Sequence, residues 1–232
     1  MNKVLRLLWI LMNTLFMSSA AFHGVVAQQN SEADDLRFKW SLIVRIDPNG
    51  RNEVVNIAKN IATEETGNIS ISAGDKLAIY LEPAKGTYLY LYLLDSNNKL
   101  IPLFQRSLAT AGLENESRLG KGTYIPGKHK WFSFDEKKGY ESFYLLASPE
   151  PLSKLEKLTR NYVETERERD LAKQDVLDEI KGIKSAVVLE TPQENPIPFG
   201  GGVRTLEIDI ADFAVEVKAK GFYSKTIVLK HE

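Results

Sequence analysis

Histidine is the side chain that most often serves as the base in nucleophilic catalysis, and this chain contains three of them. His23 lies in a segment that we expect to be removed from the mature protein, for reasons given below. His129 lies in a lysine-rich stretch, and His231 is the second-last residue. Neither has a Ser-x-Gly or metal-ligand motif around it, so the sequence predicts two surface histidines and no catalytic triad.

Cysteine chemistry is excluded because the sequence contains no cysteine. Thiol catalysis, thiolate zinc sites and iron–sulfur ligation by cysteine all need that side chain. Disulfide bonds are excluded too. The fold must therefore be stabilised by packing, and 232 residues are enough to bury a substantial core.

Acidic and glycine-rich motifs give no further reactive site. Asp47-Pro48-Asn49-Gly50 with Glu53 supplies too few oxygen ligands for a calcium loop and is typical of a turn. Gly200-Gly201-Gly202 lacks the Lys-Ser/Thr ending of a phosphate-binding loop. Asp34-Asp35 and Glu64-Glu65 are adjacent pairs, which in a strand point to opposite faces. We predict no catalytic residue, metal or cofactor; a hydrolase with an unrecognised carboxylate site is the alternative.

A row of tyrosines is the one candidate ligand surface. Tyr88, Tyr90 and Tyr92 share one face of a predicted strand, and Tyr80 could join them from the neighbouring strand. The opposite face carries leucines and belongs to the core. The tyrosine face is either a second buried side of a sandwich strand or an exposed aromatic platform for sugar rings or a peptide. Packing is the simpler interpretation, because tyrosine is common in half-buried strands.

The first 27 residues have the three parts of a secretory signal. Lys3 and Arg6 precede an apolar run over residues 7–16, and small residues follow. The run is too short to span a bilayer comfortably. Cleavage after Ala27 fits best, with Ala21 as the alternative, and no cysteine is available for a lipid anchor. We expect a signal peptide at 1–27, a flexible mature N-terminus at 28–35 and export, to the periplasm or otherwise to the extracellular space.

Composition is that of an ordinary globular chain. Apolar residues make up 43% and charged residues 26%, and the formal net charge is −1. Such a balance lacks the basic excess of a nucleic-acid-binding protein. We expect no nucleic-acid partner and no membrane span in the mature chain.

Alternating hydrophobicity predicts a β-rich domain over residues 36–150. The period of two is clearest over residues 76–82 and 88–94, with turn residues between the segments. Residues 131–134 and 141–147 are predicted to form a further hairpin around a charged turn.

The character of the chain changes after residue 150. Leucines at helical spacing predict a helical segment over 151–187, as one or two helices, interrupted by the charged run Glu164 to Asp170. Prolines and glycines predict a linker or loop over 188–203. Residues 204–232 are predicted to be closing strands that pack back on the β domain.

The stretch from Ser72 to Leu152 resembles the bacterial domain of unknown function 4384. The resemblance covers about a third of the chain and implies a β-rich domain of exported or multidomain bacterial proteins, with no catalytic residues to transfer. The segments that carry it are Gly74-Asp75-Lys76-Leu77, Gly86-Thr87-Tyr88-Leu89-Tyr90-Leu91-Tyr92, Ile101-Pro102-Leu103-Phe104, Tyr124-Ile125-Pro126 and Glu141-Ser142-Phe143-Tyr144-Leu145-Leu146-Ala147-Ser148-Pro149-Glu150-Pro151-Leu152.

The sequence therefore predicts an α+β fold dominated by β structure. We expect an antiparallel, sandwich-like domain followed by one or two helices and a closing β segment. The expected function is that of an exported, non-catalytic module that recognises an envelope protein or glycan. The alternative is a structural or assembly subunit of a cell-envelope complex that docks through the charged helix.

Overall fold

The computed structural model describes residues 35–46, 53–60, 69–105, 121–186, 192–197 and 209–232. The predicted class is confirmed: the fold is dominated by β structure, with two packed sheets, two longer helices and closing strands after them. The elements are β1 (Asp35–Ile46), β2 (Glu53–Asn56), α1 (Ile57–Asn60), β3 (Ile69–Ile71), β4 (Lys76–Pro83), β5 (Tyr88–Leu94), β6 (Leu100–Gln105), β7 (Thr123–Ile125), β8 (Phe132–Ser133), β9 (Gly139–Ser148), α2 (Ser153–Glu164), α3 (Arg169–Ala186), β10 (Gln193–Pro196), a 3₁₀ helix (Ile210–Phe213), β11 (Val215–Lys220) and β12 (Tyr223–His231).

The strands form two sheets. In the first sheet the order is β10-β11-β1-β4-β7, with β2 also paired to β1 and β8 to β4. In the second sheet the order is β3-β12-β9-β5-β6. The pairs are antiparallel except for β12 with β3, which is parallel.

The two sheets bury their apolar faces against each other. In β1 every second residue from Leu36 to Val44 points into this core, and in β4 the same is true of Leu77, Ile79 and Leu81. Leu89 and Leu91 of β5 face them from the second sheet. This is the alternation predicted from the sequence. The residues between these positions point to the outer face of each sheet.

The outer face of the second sheet is covered by α2 and α3. Leu155 and Tyr162 of α2, with Val176 and Ile180 of α3, pack on this face in a second apolar cluster. The charged residues between the helices lie outside this cluster and are exposed. Two separate helices therefore occupy the predicted helical segment, since the charged run carries no apolar residue with which to continue the buried stripe.

Residues 131–134 do not form the predicted hairpin with residues 141–147. β8 pairs with β4 in the first sheet, whereas β9 pairs with β5 and β12 in the second. The chain thus crosses between the sheets over residues 134–138. Phe132 and Phe134 pack against the core between the sheets. Their apolar character, which suggested a hairpin strand, therefore reflects this packing.

The predicted linker at 188–203 contains a short strand. Gln193–Pro196 pairs with β11 at the edge of the first sheet, a position in which proline is tolerated. Glu194 accepts hydrogen bonds from Tyr223 Oη at 2.9 Å and from Lys225 Nζ at 2.8 Å, both on β12. These polar contacts to the other sheet hold an edge strand that hydrophobic patterning does not reveal.

The closing segment packs back on the β domain. β11 pairs with β1, and β12 lies between β3 and β9 in the second sheet. The predictions made for residues 1–34, 47–50, 64–65 and 200–202 lie outside the described residues.

Candidate functional site

Two of the four predicted ligand tyrosines lie in the interior. Tyr90 and Tyr92 on β5 have no exposed surface and pack under α2 and α3. The Tyr90 hydroxyl donates to Glu156 Oε1 at 2.9 Å and accepts from the Leu152 backbone N–H at 2.8 Å. Tyr92 Oη lies 2.9 Å from Thr159 Oγ1. These tyrosines attach the first turns of α2 to the sheet.

The other two tyrosines do not complete a platform. Tyr88 lies half-buried at the margin of the same helix-covered cluster. Tyr80 belongs to β4 in the first sheet and packs on that sheet's outer face, away from β5. The four side chains therefore share no surface, because β4 and β5 are consecutive in sequence but lie in different sheets.

A small concave site lies on the outer face of the first sheet, next to Tyr80. We call it the outer cleft. It is a shallow depression open to solvent, and its enclosed part, about 20 Å³, has room for about one water molecule. Its lining residues are Ala78, Tyr124, Gly127, Lys128, His129, Lys130, Trp131, Asp209 and Ile210.

The 3₁₀ helix forms one wall of the outer cleft. Ser41 Oγ donates to the Ile210 carbonyl oxygen at 2.8 Å, and Asn56 Nδ2 donates to the Phe213 carbonyl oxygen at 2.9 Å. Ile43 and Ile210 belong to the small apolar cluster beneath this helix. Polar side chains at outward positions of β1 and β2 thus hold the 3₁₀ helix on the sheet.

Two tyrosine rings form a fixed pair beside the cleft. Tyr80 and Tyr124 face each other edge to face, with ring centroids 5.1 Å apart and planes at 62°. Gly122 makes room for this pair, since a Cβ at that position would lie 2.0 Å from Tyr80 Cε2. The glycine before β7 therefore determines where the Tyr80 ring can lie.

Carboxylates hold both phenol groups. Tyr124 Oη donates to Asp209 Oδ1 at 2.9 Å, and the same oxygen accepts from the Ala211 backbone N–H at 3.0 Å, capping the 3₁₀ helix. Tyr80 Oη donates to Glu82, which also accepts from Lys39 Nζ at 2.8 Å. The hydrogen bonds orient both rings; Tyr80 is buried, and only the half-buried Tyr124 ring lines the cleft.

The local field at these phenols is negative. Burial, followed by Asp209, Asp212 and Glu82, raises the pKa of Tyr124 to about 12. Burial and Glu82 raise the pKa of Tyr80 above its ordinary value as well. For Glu82, burial alone would raise the pKa, but the hydrogen bonds from Lys39 and Tyr80 outweigh it and the pKa is lowered. Both phenols therefore stay protonated and Glu82 stays ionised at neutral pH.

A tight turn forms the opposite wall of the cleft. The Lys130 N–H donates to the Gly127 carbonyl oxygen at 3.0 Å, and His129 has a φ of 61° at the exposed tip. Lys128 Nζ lies 5.9 Å from the centroid of the Tyr124 ring, within reach of a cation–π contact. Trp131 follows the turn and is half-buried. His129 is exposed, in line with the sequence prediction.

His231 is buried rather than exposed as predicted. Only 3% of its surface is accessible, and it meets the Phe134 ring at a centroid distance of 5.8 Å. Neither ring nitrogen has a hydrogen-bond partner among the described residues. Position near the end of the sequence suggested exposure, but β12 continues to this residue between β3 and β9, and strand alternation turns the side chain inward like Leu229.

Glu141 is a second buried ionisable group at this end of the core. Burial raises its pKa, the Ser96 hydrogen bonds lower it in part, and Asp95 raises it further. A raised pKa means that the fold favours the protonated form, so the contribution of Glu141 to stability is lost as the pH rises through its folded-state pKa. At neutral pH the ionised carboxylate therefore reduces the free energy of unfolding.

We expect Glu141→Gln to be more thermostable than the wild type at pH 7. The amide oxygen can still accept the Ser96 N–H, which lies 3.2 Å from Glu141 Oε1. The advantage should disappear below about pH 4, where carboxyl groups are protonated in both folded and unfolded chains. Melting temperatures over this pH range provide the test, with exposed Glu136→Gln as the charge-matched control. A lower melting temperature for Glu141→Gln at pH 7 would contradict this expectation.

Of the residues that line the outer cleft, Tyr124, Trp131 and Asp209 are not identified as site residues by the sequence. They come from three separate parts of the chain and are joined only by the pairing of β7 and β8 with β4 and by the 3₁₀ helix. The one signal in the sequence is Tyr124-Ile125-Pro126, which belongs to the stretch that resembles the family.

No three His, Asp or Glu side chains of the described residues come together in a metal-binding group. No helix in the described ranges combines the length and apolar character needed to cross a membrane.

Residues 70–151 match the family described as Domain of unknown function (DUF4384). No curated protein and no solved structure matches the chain. The matched stretch contains β4 to β9, including the Tyr80–Tyr124 pair and the turn at Gly127. Residues 70–151 of this chain thus match the DUF4384 family, as the sequence resemblance indicated.

Proposed function

We propose that this protein is an exported, non-catalytic module that recognises a cell-envelope glycan through the outer cleft. Export is supported by the signal-like pattern of residues 1–27. The observation that carries the binding role is the pair of half-buried aromatic side chains, Tyr124 and Trp131, at a concave site with fixed polar walls. Aromatic surface beside a few oriented polar groups is the combination with which proteins bind small ligands.

A compact ligand suits the cleft better than an extended peptide does. Peptides commonly bind by adding a strand to an exposed sheet edge. The edge next to the cleft is β7, which has only three residues and runs into Pro126, a residue without a backbone N–H. Such a short edge offers few hydrogen bonds to an added strand. A ring-shaped group lying against Tyr124 and Trp131 needs no such edge.

A non-catalytic role is supported by how the acidic groups in and beside the cleft are used. Asp209 orients Tyr124 and caps the 3₁₀ helix, and Glu82 binds Lys39 and Tyr80. Each of these carboxylates already accepts at least two hydrogen bonds. This arrangement suits a site that positions a ligand, since neither carboxylate is placed beside a nucleophile as a base.

We expect Trp131→Ala to reduce binding of the purified protein to isolated peptidoglycan sacculi at least tenfold. The substitution removes one of the two large aromatic side chains that line the cleft, whereas Trp131→Phe should retain most binding. Phe222→Ala is the matched control, because Phe222 is an exposed aromatic residue outside the cleft lining. Co-sedimentation measures the bound fraction and thermal denaturation verifies folding. Unchanged binding by folded Trp131→Ala would refute the proposal.

The alternative role, that of an assembly subunit, is supported by a different surface. Val163 and Leu171 are 51% and 62% exposed and lie on either side of the charged run between α2 and α3. Exposed apolar side chains next to a charged segment are typical of a docking surface. If this role is correct, Val163→Ser with Leu171→Ser should release the protein from a larger envelope complex on size exclusion, with little change in melting temperature. An unchanged elution profile would argue against it.

A further inference from the structure

Four basic side chains lie at one end of the outer face of the first sheet, and we call them the cationic rim. Lys128 and Lys130 belong to the exposed turn that lines the outer cleft. Arg45 and Lys76 lie directly opposite each other on β1 and β4. Both alternate with residues of the core between the sheets, so both side chains point to the outer face.

Trp131 lies between the two halves of the cationic rim. Lys130 precedes it in the turn. On its other side, Lys76 lies opposite Ser133 of β8. Trp131 comes two residues before Ser133 and lines the cleft, which places it about 7 Å along the strand direction from the Lys76 position. A ring that contacts Trp131 therefore has basic side chains on two sides.

The cationic rim is not neutralised by carboxylates in the part of the chain that the structure describes. None of its four side chains has an Asp or Glu within ion-pair distance there, whereas Lys39 on the same face is paired with Glu82 at 2.8 Å. Arg45 Nε is buried and has no hydrogen-bond partner there either, although buried polar groups are ordinarily paired. Like charges directly opposite each other, as in Arg45 and Lys76, reduce stability. A bound anion would relieve this repulsion.

The acidic groups of the cleft lie on its other wall. Asp209 lines the cleft, and Asp212 is exposed on the 3₁₀ helix. Asp209 Oδ1 already accepts from Tyr124 Oη and from the Ala211 N–H. An anionic group of a ligand therefore has to lie on the side of the lysine turn. The depression is too small to enclose a sugar ring, so a ring has to rest across its mouth, against Trp131.

We propose that the glycan bound at this surface is acidic, that its carboxylate groups bind the cationic rim, and that a neighbouring sugar ring rests on Trp131. The inference rests on the proposed glycan-binding function and specifies the chemical class of its ligand. Lysine and arginine form charge-assisted hydrogen bonds with carboxylates. The whole chain has a formal net charge of only −1, so attraction of an acidic polymer has to come from a local cluster of this kind.

The test compares native peptidoglycan sacculi with sacculi whose carboxylates have been converted to amides. In co-sedimentation at low salt, the intact chain should bind the native sacculi at least tenfold more tightly than the amidated ones. The difference should shrink towards 1 M salt, where charges are screened beyond about 3 Å. Both ligands present the same sugar rings, so the comparison isolates the carboxylate groups.

Lys128→Gln with Lys130→Gln should weaken binding to native sacculi about fivefold, within the range for two exposed ion pairs. Binding to amidated sacculi should be unchanged by this double variant. Lys157→Gln with Arg160→Gln is the charge-matched control, because both residues are exposed on α2, which covers the other sheet. The control should change binding less than twofold, and thermal denaturation verifies the folding of both double variants.

The results that would overturn the inference differ from the one that would refute the proposed function. Equal binding to native and amidated sacculi, abolished by Trp131→Ala, would overturn the acidic-ligand claim and leave the glycan-binding surface in place. Equal losses in the rim and helix variants would overturn it too, since overall charge would then govern binding. If poly-glutamate bound as tightly as native sacculi, the rim would recognise an acidic peptide and the glycan claim would be overturned. Failure of the intact chain to bind native sacculi would refute the proposed function itself, and the inference with it.

Discussion

Tyr92→Ala is expected to lower the free energy of unfolding by about 3–5 kcal/mol, the usual cost of removing a buried aromatic side chain. Tyr92 has no exposed surface and lies between the second sheet and α2. Its hydroxyl lies 2.9 Å from Thr159 Oγ1 and donates to Gln105 Oε1 at 3.3 Å. The substitution therefore leaves a cavity and also removes one hydrogen bond between the sheet and α2 and one between β5 and β6.

Chemical denaturation of two further variants separates these contributions. Tyr92→Phe keeps the ring and should lose only about 0.5–1.5 kcal/mol, the net value of a hydrogen bond. Tyr140→Ala, an exposed tyrosine at 59% accessibility, should change stability by less than about 0.5 kcal/mol. If Tyr92→Ala folded with unchanged stability but lost glycan binding, the tyrosine row would be a ligand platform and the outer cleft would be the wrong site.

Gly122→Ala is expected both to destabilise the protein by about 1–3 kcal/mol and to disrupt the outer cleft. The new Cβ would lie 2.0–2.2 Å from three atoms at the end of the Tyr80 side chain, so the ring must move. Movement breaks the edge-to-face contact with Tyr124 and the hydrogen bond to Glu82. We expect at least a tenfold loss of sacculus binding together with the loss of stability.

Gly182→Ala is the matched control for this substitution. Gly182 lies within α3, and a Cβ there meets no atom within 4 Å. Replacing a helical glycine by alanine usually stabilises a protein by about 0.5–1 kcal/mol. Retained binding and unchanged stability in Gly122→Ala would mean that Tyr80 does not need its position and that the cleft is not a shaped site.

Local pattern was sufficient to predict most of the strands. Leu77, Ile79 and Leu81 alternate with outward residues in the sequence and do so in β4. A period of two identifies which residues share a face, but it does not identify the sheet to which a strand belongs. For this reason Tyr80 was grouped with Tyr88, Tyr90 and Tyr92, although the connection after Pro83 crosses to the other sheet.

The candidate site could not be derived from the sequence for the same reason. Asp209 binds the Tyr124 hydroxyl, although the two residues are 85 positions apart in the sequence. Trp131 reaches the cleft because β8 pairs with β4 rather than with the strand that follows it. His231 is buried, contrary to the prediction, because β12 pairs with β3, a strand from early in the chain. Each of these facts depends on strand pairing between distant segments.

The most direct test of the central claim is to map where the glycan protects the protein from amide hydrogen exchange. If ligand binds in the outer cleft, protection upon addition of solubilised peptidoglycan fragments should increase in residues 121–131 and 209–214. β5 and the helices that cover it should be unchanged. Protection confined to residues 88–94 or to α2 and α3, with none around Tyr124 and Trp131, would contradict the account.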